Sequence, residues 1–402
     1  MSLDMGGPLD GVRVLDLTWV LAGPFASMIL CDLGAEVIKV EQPPYGDVGR
    51  TTGPHIDGES CYFLSVNRGK KSIAIDLKNP QGRDLLLRLV ERADVLMENF
   101  TPGTMDRLGL GYGVLQERNP RLVYAATSGF GQTGPWRERP ALDVVVQGMG
   151  GVMSITGEPG GPPIRPGLSL GDIAAGLYTA IGVLAALQER ERSGRGQMVD
   201  VAMLDCQIAV LENAFIRYFA TGQVPGPLGT RHPTATPFQA FPTQDGWLVL
   251  ALSWGVENQW ELLCATIGRV DLIDDPRFET SALRTENHHI LEPLLNEALR
   301  QRATAEWLEE FEKIGLPCGP VNDIAQAAAM PQVAAREMLV DVAHPRIGPF
   351  RLPGVPIKLS RTPGAVKGPS PDVGQHTDQA LSALLGLTEE DLARLRQAGA
   401  IL

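Results

Sequence analysis

The strongest constraint on the fold is an alternation of short β-forming runs and helical patterns through the N-terminal half of the chain. Residues 12–17 (VRVLDL) are rich in β-formers and read as a first strand. Residues 18–23 turn the chain, Pro24 suits the first turn of a helix, and residues 25–33 carry the helical pattern. Residues 36–41 (EVIKVE) alternate polar and apolar positions and read as the second strand. This is a βαβ unit, whose right-handed crossover makes its strands parallel. The rhythm continues with a strand over 72–76, a helix over 80–92, and strands over 95–98 and 122–127. Such alternation predicts an open α/β sheet with helices on its faces. Ligands bind such sheets beyond the carboxyl ends of the strands, which directs attention to the loops 18–23, 99–103 and 128–134.

Downstream, a glycine-rich stretch over 148–167 leads to Gly171-Asp172, and a long apolar helix is expected over 173–190. The segment 193–197 connects it to a strand over 198–203, followed by a helix over 204–218. Residues 221–242 are rich in Pro and Gly with little periodicity, and read as the linker into a second domain. That domain is expected to hold a strand over 247–252 and helices over 258–267, 290–300 and 305–314. A Pro-rich segment over 348–372 reads as irregular, and Thr388 to Asp391 has capping-box spacing for a closing helix. The expected organisation is a large α/β domain from 1–220, a smaller domain with its linker over 221–335, and a return to the large domain over 336–402.

The formal charge of −12 argues against a nucleic-acid partner, although a local basic pocket remains compatible with a phosphate-bearing ligand. The first ten residues contain no apolar core of a secretory signal. The apolar stretch 20–30 is interrupted by Gly23 and Pro24 and is too short to cross a bilayer, so no membrane role is expected. Cys31, Cys61, Cys206, Cys264 and Cys318 are widely spaced, which suits a reduced compartment and makes cytoplasm the default location. His288 and His289 are adjacent, so on a helix they point about 100° apart, and no metal site is expected.

Two segments invite a chemical reading. Gly129, Gly131 and Gly134 fit G-x-G-x-x-G after a strand, but Pro135 and Pro140 follow where a phosphate cradle requires a helix N-terminus. Asp172 stands at the start of the long apolar helix. There it is either a helix cap, worth ~1 kcal/mol, or a carboxylate nucleophile kept ionised by the helix N-terminus.

Motifs along nearly the whole chain resemble the class III CoA-transferases, a family that includes formyl-CoA transferases, carnitine CoA-transferases and α-methylacyl-CoA racemases. The resemblance rests on Pro8-Leu9-Asp10-Gly11-Val12, Ala22-Gly23-Pro24, Leu33-Gly34-Ala35-Glu36-Val37-Ile38-Lys39-Val40-Glu41 and Glu98-Asn99-Phe100 with Pro102-Gly103. Arg107-Leu108-Gly109, Leu170-Gly171-Asp172, Gly194-Arg195-Gly196-Gln197, Pro317-Cys318-Gly319-Pro320-Val321 and Gly374-Gln375-His376-Thr377 extend it. It implies a Rossmann-like parallel sheet, a smaller α+β domain and an interlocked homodimer. Asp172 aligns with the family's nucleophilic aspartate. The family's CoA contacts carry over to Leu21, Ala22, Ile75, Asp76, Lys78, Asn99, Phe100, Arg107 and Leu142, with Lys78 and Arg107 supplying charge for phosphates and Lys70 and Lys71 as weaker candidates. CoA and acyl-CoA enter as substrates together with a carboxylic acid; no tightly bound cofactor is implied. Gly171 is expected to leave room for the thioester.

Departures narrow the resemblance. Formyl-CoA transferases have Gln in place of Leu21, Arg in place of Gln42, and a glycine run over the active site that is missing here, which argues against a formyl or oxalyl substrate. The racemases have His before an Asp where this chain has Leu142-Asp143, so one of their two proton-transfer groups is absent. Thr230-Arg231-His232-Pro233 and Pro237-Phe238-Gln239-Ala240-Phe241 resemble members that use succinyl-CoA and related dicarboxylic acyl-CoAs. The expected activity is acyl-CoA:carboxylate CoA-transfer; a 2-methylacyl-CoA racemase and a non-catalytic CoA-binding protein stand as alternatives.

Overall fold

The computed structural model describes residues 6–253 and 255–402; the first five residues of the N-terminal segment lie outside it. Contacts divide the chain into one unit of residues 1–153, 165–223 and 332–402 and a second of 154–164 and 224–331. The excursion at 154–164 has no signal in the hydrophobic pattern.

The first unit is built on six strands: β1 (Arg13–Asp16), β2 (Glu36–Glu41), β3 (Lys71–Ala74), β4 (Val95–Glu98), β5 (Val123–Ser128) and β6 (Met198–Ala202). All neighbours pair in parallel, in the order β3-β2-β1-β4-β5-β6. This is the strand order of doubly wound dinucleotide-binding sheets, and it reverses direction between β1 and β4. Helices α1 (Ala22–Asp32), α2 (Pro80–Val90), α3 (Asp143–Met149), α4 (Leu170–Ser193), α5 (Met203–Val210) and α6 (Glu212–Thr221) belong to the same unit. Successive residues of a strand face opposite sides, and both sides are covered. Leu15, Ile38, Ile73, Leu96 and Tyr124 pack with Leu85 and Leu89 of α2 on one face. Val14, Val37, Val95, Met97 and Val123 pack with Leu30 of α1 and Val183 and Leu187 of α4 on the other.

Two local readings needed correction. The long helix starts earlier than 173, at Leu170, so Asp172 is its third residue rather than its cap. The helix expected over 204–218 is two helices, broken at Leu211. The 24-residue α4 is also long and apolar enough to cross a bilayer by length and composition, unlike the shorter stretch at 20–30, but half of its most apolar window is buried in this unit. Gly176 lets it press against α1: a Cβ there would stand 2.8 Å from the Ala22 carbonyl oxygen.

The second unit has a three-stranded antiparallel sheet of β7 (Phe238–Pro242), β8 (Trp247–Ala251) and β9 (Cys318–Pro320), with β8 central. Helices α7 (Gln259–Thr266), α8 (His288–Leu299) and α9 (Thr304–Lys313) close a separate core around Phe241, Leu250, Phe278, Leu295 and Phe311. The strand β7 lies inside the segment read as a linker. The returning chain contains a hairpin of β10 (Leu339–His344) and β11 (Gly348–Pro353), whose second strand falls at the start of the run expected to be irregular, then α10 (Thr377–Leu385) and α11 (Glu389–Gln397). The Thr388 capping box does open α11. The Gly374–Thr377 motif serves the exposed edge of β3. Ser72 N–H donates to His376 Nδ1 at 3.2 Å and Ala74 N–H to Thr377 Oγ1 at 3.0 Å, satisfying amides that an edge strand otherwise leaves open.

Candidate active site

Among the cavities of the first unit, two at the carboxyl ends of its strands, where the strand order reverses, take in the predicted site residues. The larger, of about 420 Å³, is formed by the loops after β1, β2, β3 and β4 and lined by Leu17, Lys39, Gln42, Ile75, Lys78 and Thr104 among others. The smaller, of about 170 Å³, is lined by Leu21, Ala22, Asn99, Leu142, Asp143 and Asp172, with Arg137 and Arg139 on its wall. Trp19 and Phe100 line both. Their rings meet edge to face with centroids 5.7 Å apart, a favoured aromatic geometry.

The loops that carry these residues are fastened by buried polar groups. Asp16, at the end of β1, is fully buried. It accepts hydrogen bonds from the Thr18 amide at 2.9 Å, the Ser27 hydroxyl at 2.6 Å and the Lys70 ammonium at 3.0 Å. Burial alone would raise its pKa, but the Lys70 and Lys39 charges and these bonds hold it at about 2. Lys39, also fully buried, donates to the Thr18 carbonyl at 2.6 Å and pairs with Asp47 at 2.9 Å. Asp47 in turn accepts the Val20 amide at 3.0 Å. That bond anchors Val20 at φ 65°, a strained conformation for a β-branched residue at the rim of the smaller cavity. Lys39 and Lys70 are therefore structural counter-ions, and Lys70 is not available to phosphates. Lys71 points elsewhere, to Glu36 at 2.6 Å.

Asn99 latches the loop after β4 to the loop after β1. Its amide oxygen accepts the Trp19 N–H and its amide nitrogen donates to the Trp19 carbonyl, both at 2.9 Å. One residue earlier, Glu98 accepts the Phe100 amide at 2.7 Å and the Tyr124 hydroxyl at 3.1 Å. Burial pushes the Glu98 carboxyl up to about 7 despite those donors. Sequence reasoning passed over Trp19, Glu98, Arg137 and Arg139. Trp19 had a signal available, being a large aromatic residue in the loop directly after the first strand.

At Asp172 the choice between cap and nucleophile becomes concrete. The free amide at the start of α4, Gly171 N–H, donates to Asp143 Oδ1 at 2.8 Å, so a carboxylate from α3 does the capping. Asp143 is held in turn by Gln147 at 2.7 Å and Arg165 at 2.9 Å. Asp172 itself makes no hydrogen bond through its carboxylate among the described residues and lines the smaller cavity. A helix N-terminus favours the anion, yet burial pushes Asp172 up to about 7. The neighbouring Asp143 charge adds to the rise, and Arg165 opposes it. Gly171 does not leave room for a ligand as expected. Its missing side chain is the space into which Val146 and Asp143 pack, 2.7 and 3.1 Å from where a Cβ would be.

The remaining predicted residues divide. Leu21, Ala22, Asn99, Phe100 and Leu142 stand with Asp172 around the smaller cavity, and Ile75, Lys78 and Phe100 line the larger. Lys78 is exposed and has no carboxylate partner among the described residues. Asp76 lines neither cavity; it accepts the Lys78 amide at 2.8 Å and shapes that turn. Arg107 is exposed on the outer side of the helix Thr104–Arg107, bonded to Thr104 Oγ1 at 2.8 Å. The glycine motif after β5 opens no helix. Gly129 instead allows Ala141 to approach, 2.1 Å from where a Cβ would stand.

This arrangement of a strand-end cavity and an unbonded carboxylate can be set beside known proteins. The profile of CoA-transferase family III matches residues 9–377. The chain belongs to CoA-transferase family III. An acetyl-CoA:oxalate CoA-transferase of Acetobacter aceti is 46% identical over 368 residues, covering 90% of this chain and 93% of that protein. The succinyl-CoA:glutarate CoA-transferase of Homo sapiens is 39% identical over 395 residues, covering 98% and 90%. The crystal structure of a CAIB/BAIF family protein from Brucella suis superposes with a TM-score of 0.85 at 40% identity, covering 94% of this chain and 100% of that one. The motifs that suggested a class III CoA-transferase thus pointed to the right family, and the protein is an enzyme that transfers CoA between acyl groups.

Proposed function

We propose that this CoA-transferase moves CoA from a dicarboxylic acyl-CoA, succinyl-CoA first among candidates, to a free dicarboxylic acid, with Asp172 as the nucleophile. The observation that carries the reading is the Asp172 carboxylate: it lines a cavity, makes no hydrogen bond among the described residues, and is relieved of capping by Asp143. Ionised Asp172 attacks the thioester carbonyl, forming a mixed anhydride and releasing CoA thiolate. The thiolate attacks the aspartyl carbonyl, giving an aspartyl-CoA thioester and the free acid. The acceptor carboxylate then runs the two steps in reverse. One thioester replaces another, so positioning and water exclusion supply the catalysis. The larger cavity suits the CoA moiety, with Lys78 at its rim for phosphate and the Trp19–Phe100 pair flanking the passage toward Asp172. Arg107 lies one turn from the cavity-lining Thr104 and serves as a second phosphate cation. Leu142 has no proton to move, which disfavours racemisation.

Both relatives named above carry a diacid in their names, oxalate and glutarate. The first brings oxalate back into the acceptor panel despite Leu21 and Gln42. A homodimer is the family expectation, and large apolar side chains exposed on the first unit, Ile181 (59%), Ile216 (67%) and Phe219 (72%), are compatible with it. Interlocking of the two chains is the family expectation, and light scattering with limited cross-linking tests it. Five cysteines without disulfides fit a reducing compartment such as the cytoplasm.

The decisive experiment is trapping. The protein is incubated with a panel of acyl-CoAs and hydroxylamine, and its peptides are mapped by mass spectrometry. A hydroxamate at Asp172 supports the mechanism; an unmodified Asp172 with every donor that is turned over removes it.

A further inference from the structure

Three arginines stand close to the acidic pair of Asp143 and Asp172, in a chain whose carboxylates outnumber its lysines and arginines by 47 to 35. Only one of the three is committed. Arg165 is bound to Asp143 at 2.9 Å and to Ser169 at 3.0 Å. Arg139 forms no ion pair among the described residues, and its guanidinium lies 5.9 and 5.6 Å from the ring centres of Phe130 and Trp136. Those two rings meet edge to face at 5.8 Å, so the cation rests against a preformed aromatic corner. Among the described residues the Arg137 side chain pairs only with its neighbour Glu138, at 3.2 Å, and that pair is half or more exposed on both sides. Exposed pairs of this kind hold a cation weakly. Both arginines line the same cavity as Asp172.

We propose that Arg137 and Arg139 form the subsite for the far carboxylate of the diacid, on both the donor and the acceptor side of the reaction. The inference rests on the diacid reading above and adds the residues that would enforce it. In each half-reaction one carboxyl group reacts at Asp172, and a second negative charge has to be matched within the same small cavity. A guanidinium offers a planar fork suited to a carboxylate. Two long, exposed side chains on one loop can follow diacids of different length, which a rigid buried clamp could not. A monocarboxylic acid gains nothing from either residue.

The test compares glutarate with valerate, a monoacid of equal chain length, as acceptors from acetyl-CoA. It uses the full-length protein and the variants Arg137→Gln, Arg139→Gln, Arg139→Lys and the double glutamine variant. The expected result is a loss of about ten- to hundredfold in kcat/KM for glutarate in the glutamine variants, carried mainly by KM. Transfer to valerate should stay within about threefold of the starting protein, which also shows that the variants are folded. Arg139→Lys should recover part of the loss. Equal losses for both acids, or a rise confined to the KM of acetyl-CoA, would overturn the subsite and assign the arginines to loop structure or to CoA phosphates. No change with either acid would overturn it as well. If the starting protein itself uses valerate but not glutarate, the diacid reading fails and takes the subsite with it. If it prefers glutarate and the glutamine variants keep that preference undiminished, only the subsite fails.

Discussion

Asp16 and Asp172 are the same residue type in the same unit, both near the carboxyl ends of the strands, and their surroundings could hardly differ more. Asp16 is fully buried, bonded by Thr18, Ser27 and Lys70, and held at about 2. Asp172 is half-buried, without a hydrogen-bond partner among the described residues, and raised to about 7. Burial acts against the anion in both cases; two ammonium groups reverse its effect at Asp16, and a neighbouring carboxylate reinforces it at Asp172. A carboxylate whose lone pairs are all engaged is a fastener, whereas one whose lone pairs are free and whose pKa is raised is a better nucleophile when it does ionise. The two residues therefore divide the work: Asp16 holds the loop after β1 in place, and Asp172 is left free to react.

The comparison breaks most sharply at Asp172. Asp172→Asn is expected to reduce transfer from succinyl-CoA by about 10⁴-fold or more, because a nucleophile has no substitute in the cavity. The fold should survive. A group whose folded pKa is raised from 3.8 to about 7 stabilises fully below pH 3.8, and that contribution is lost as pH rises through 7. At pH 8 the asparagine variant should thus unfold at the same or a higher denaturant concentration than the starting protein. In the starting protein, kcat/KM should climb as pH rises through about 7, following ionisation of Asp172. Activity retained in Asp172→Asn ends the assignment.

The opposite pattern is expected at Lys70. Lys70→Met leaves Asp16 buried with one ammonium fewer, and loss of one partner of a buried pair costs about 3–5 kcal/mol. Urea denaturation should show this at pH 7. Asp16 is lowered from 3.8 to about 2, so its contribution is present above pH 3.8 and disappears only as pH falls through 2. A neutral-pH stability within about 1 kcal/mol of the starting protein would show that the network is incidental.

This contrast also explains how much of the fold is legible in the sequence. The parallel sheet was legible because β1, β2, β4 and β5 are short β-forming runs at regular spacing, and β2 and β4 were placed to the residue. What the charges on those strands do was not legible. Lys39 occupies a polar position of an alternating strand, yet it is completely buried. The cap on α4 was hidden for another reason. Asp143 lies 28 residues from Gly171, on a short helix between Pro140 and Gly150 that the local pattern does not announce. The strand β7 was lost inside a Pro- and Gly-rich stretch, where composition argues for a loop and only pairing with β8 makes a strand. Local periodicity reaches neighbours along one element, whereas ion pairs and caps between distant segments require the fold itself.

Glu98 sharpens the comparison from a third side, since it is buried like Asp16 but raised like Asp172. Its folded pKa rises from 4.5 to about 7, so its stabilising share is complete below pH 4.5 and is lost as pH rises through 7. Glu98→Gln removes the ionisation while keeping an acceptor for the Phe100 amide. The variant should match the starting protein at pH 4.5 and exceed it by about 3 kcal/mol at pH 8. Parallel stability curves across that range would show that Glu98 titrates as it does in water.

The smallest expected effect falls on Asp143, which links the two kinds of carboxylate because it is structural by its bonds and electrostatic by its place beside Asp172. Asp143→Asn retains an oxygen that can accept the Gly171 amide, so α4 keeps its cap. The atom that accepts from Arg165 and Gln147 becomes an NH2 donor, so both bonds are lost; Arg165 is partly exposed and turns to water, which keeps the cost to about 1 kcal/mol. The more telling change is in the pH profile. Asp143 is the charge that adds to the raised pKa of Asp172, after burial, and Arg165 opposes it. Removing the one while keeping the other makes Asp172 ionise more easily, so the acid limb of kcat/KM should move to lower pH. A purely structural Asp143 would lower activity at every pH without moving that limb. A limb that shifts to higher pH would mean that Asp143 holds Arg165 where Asp172 feels it, and that the bond matters more than the charge.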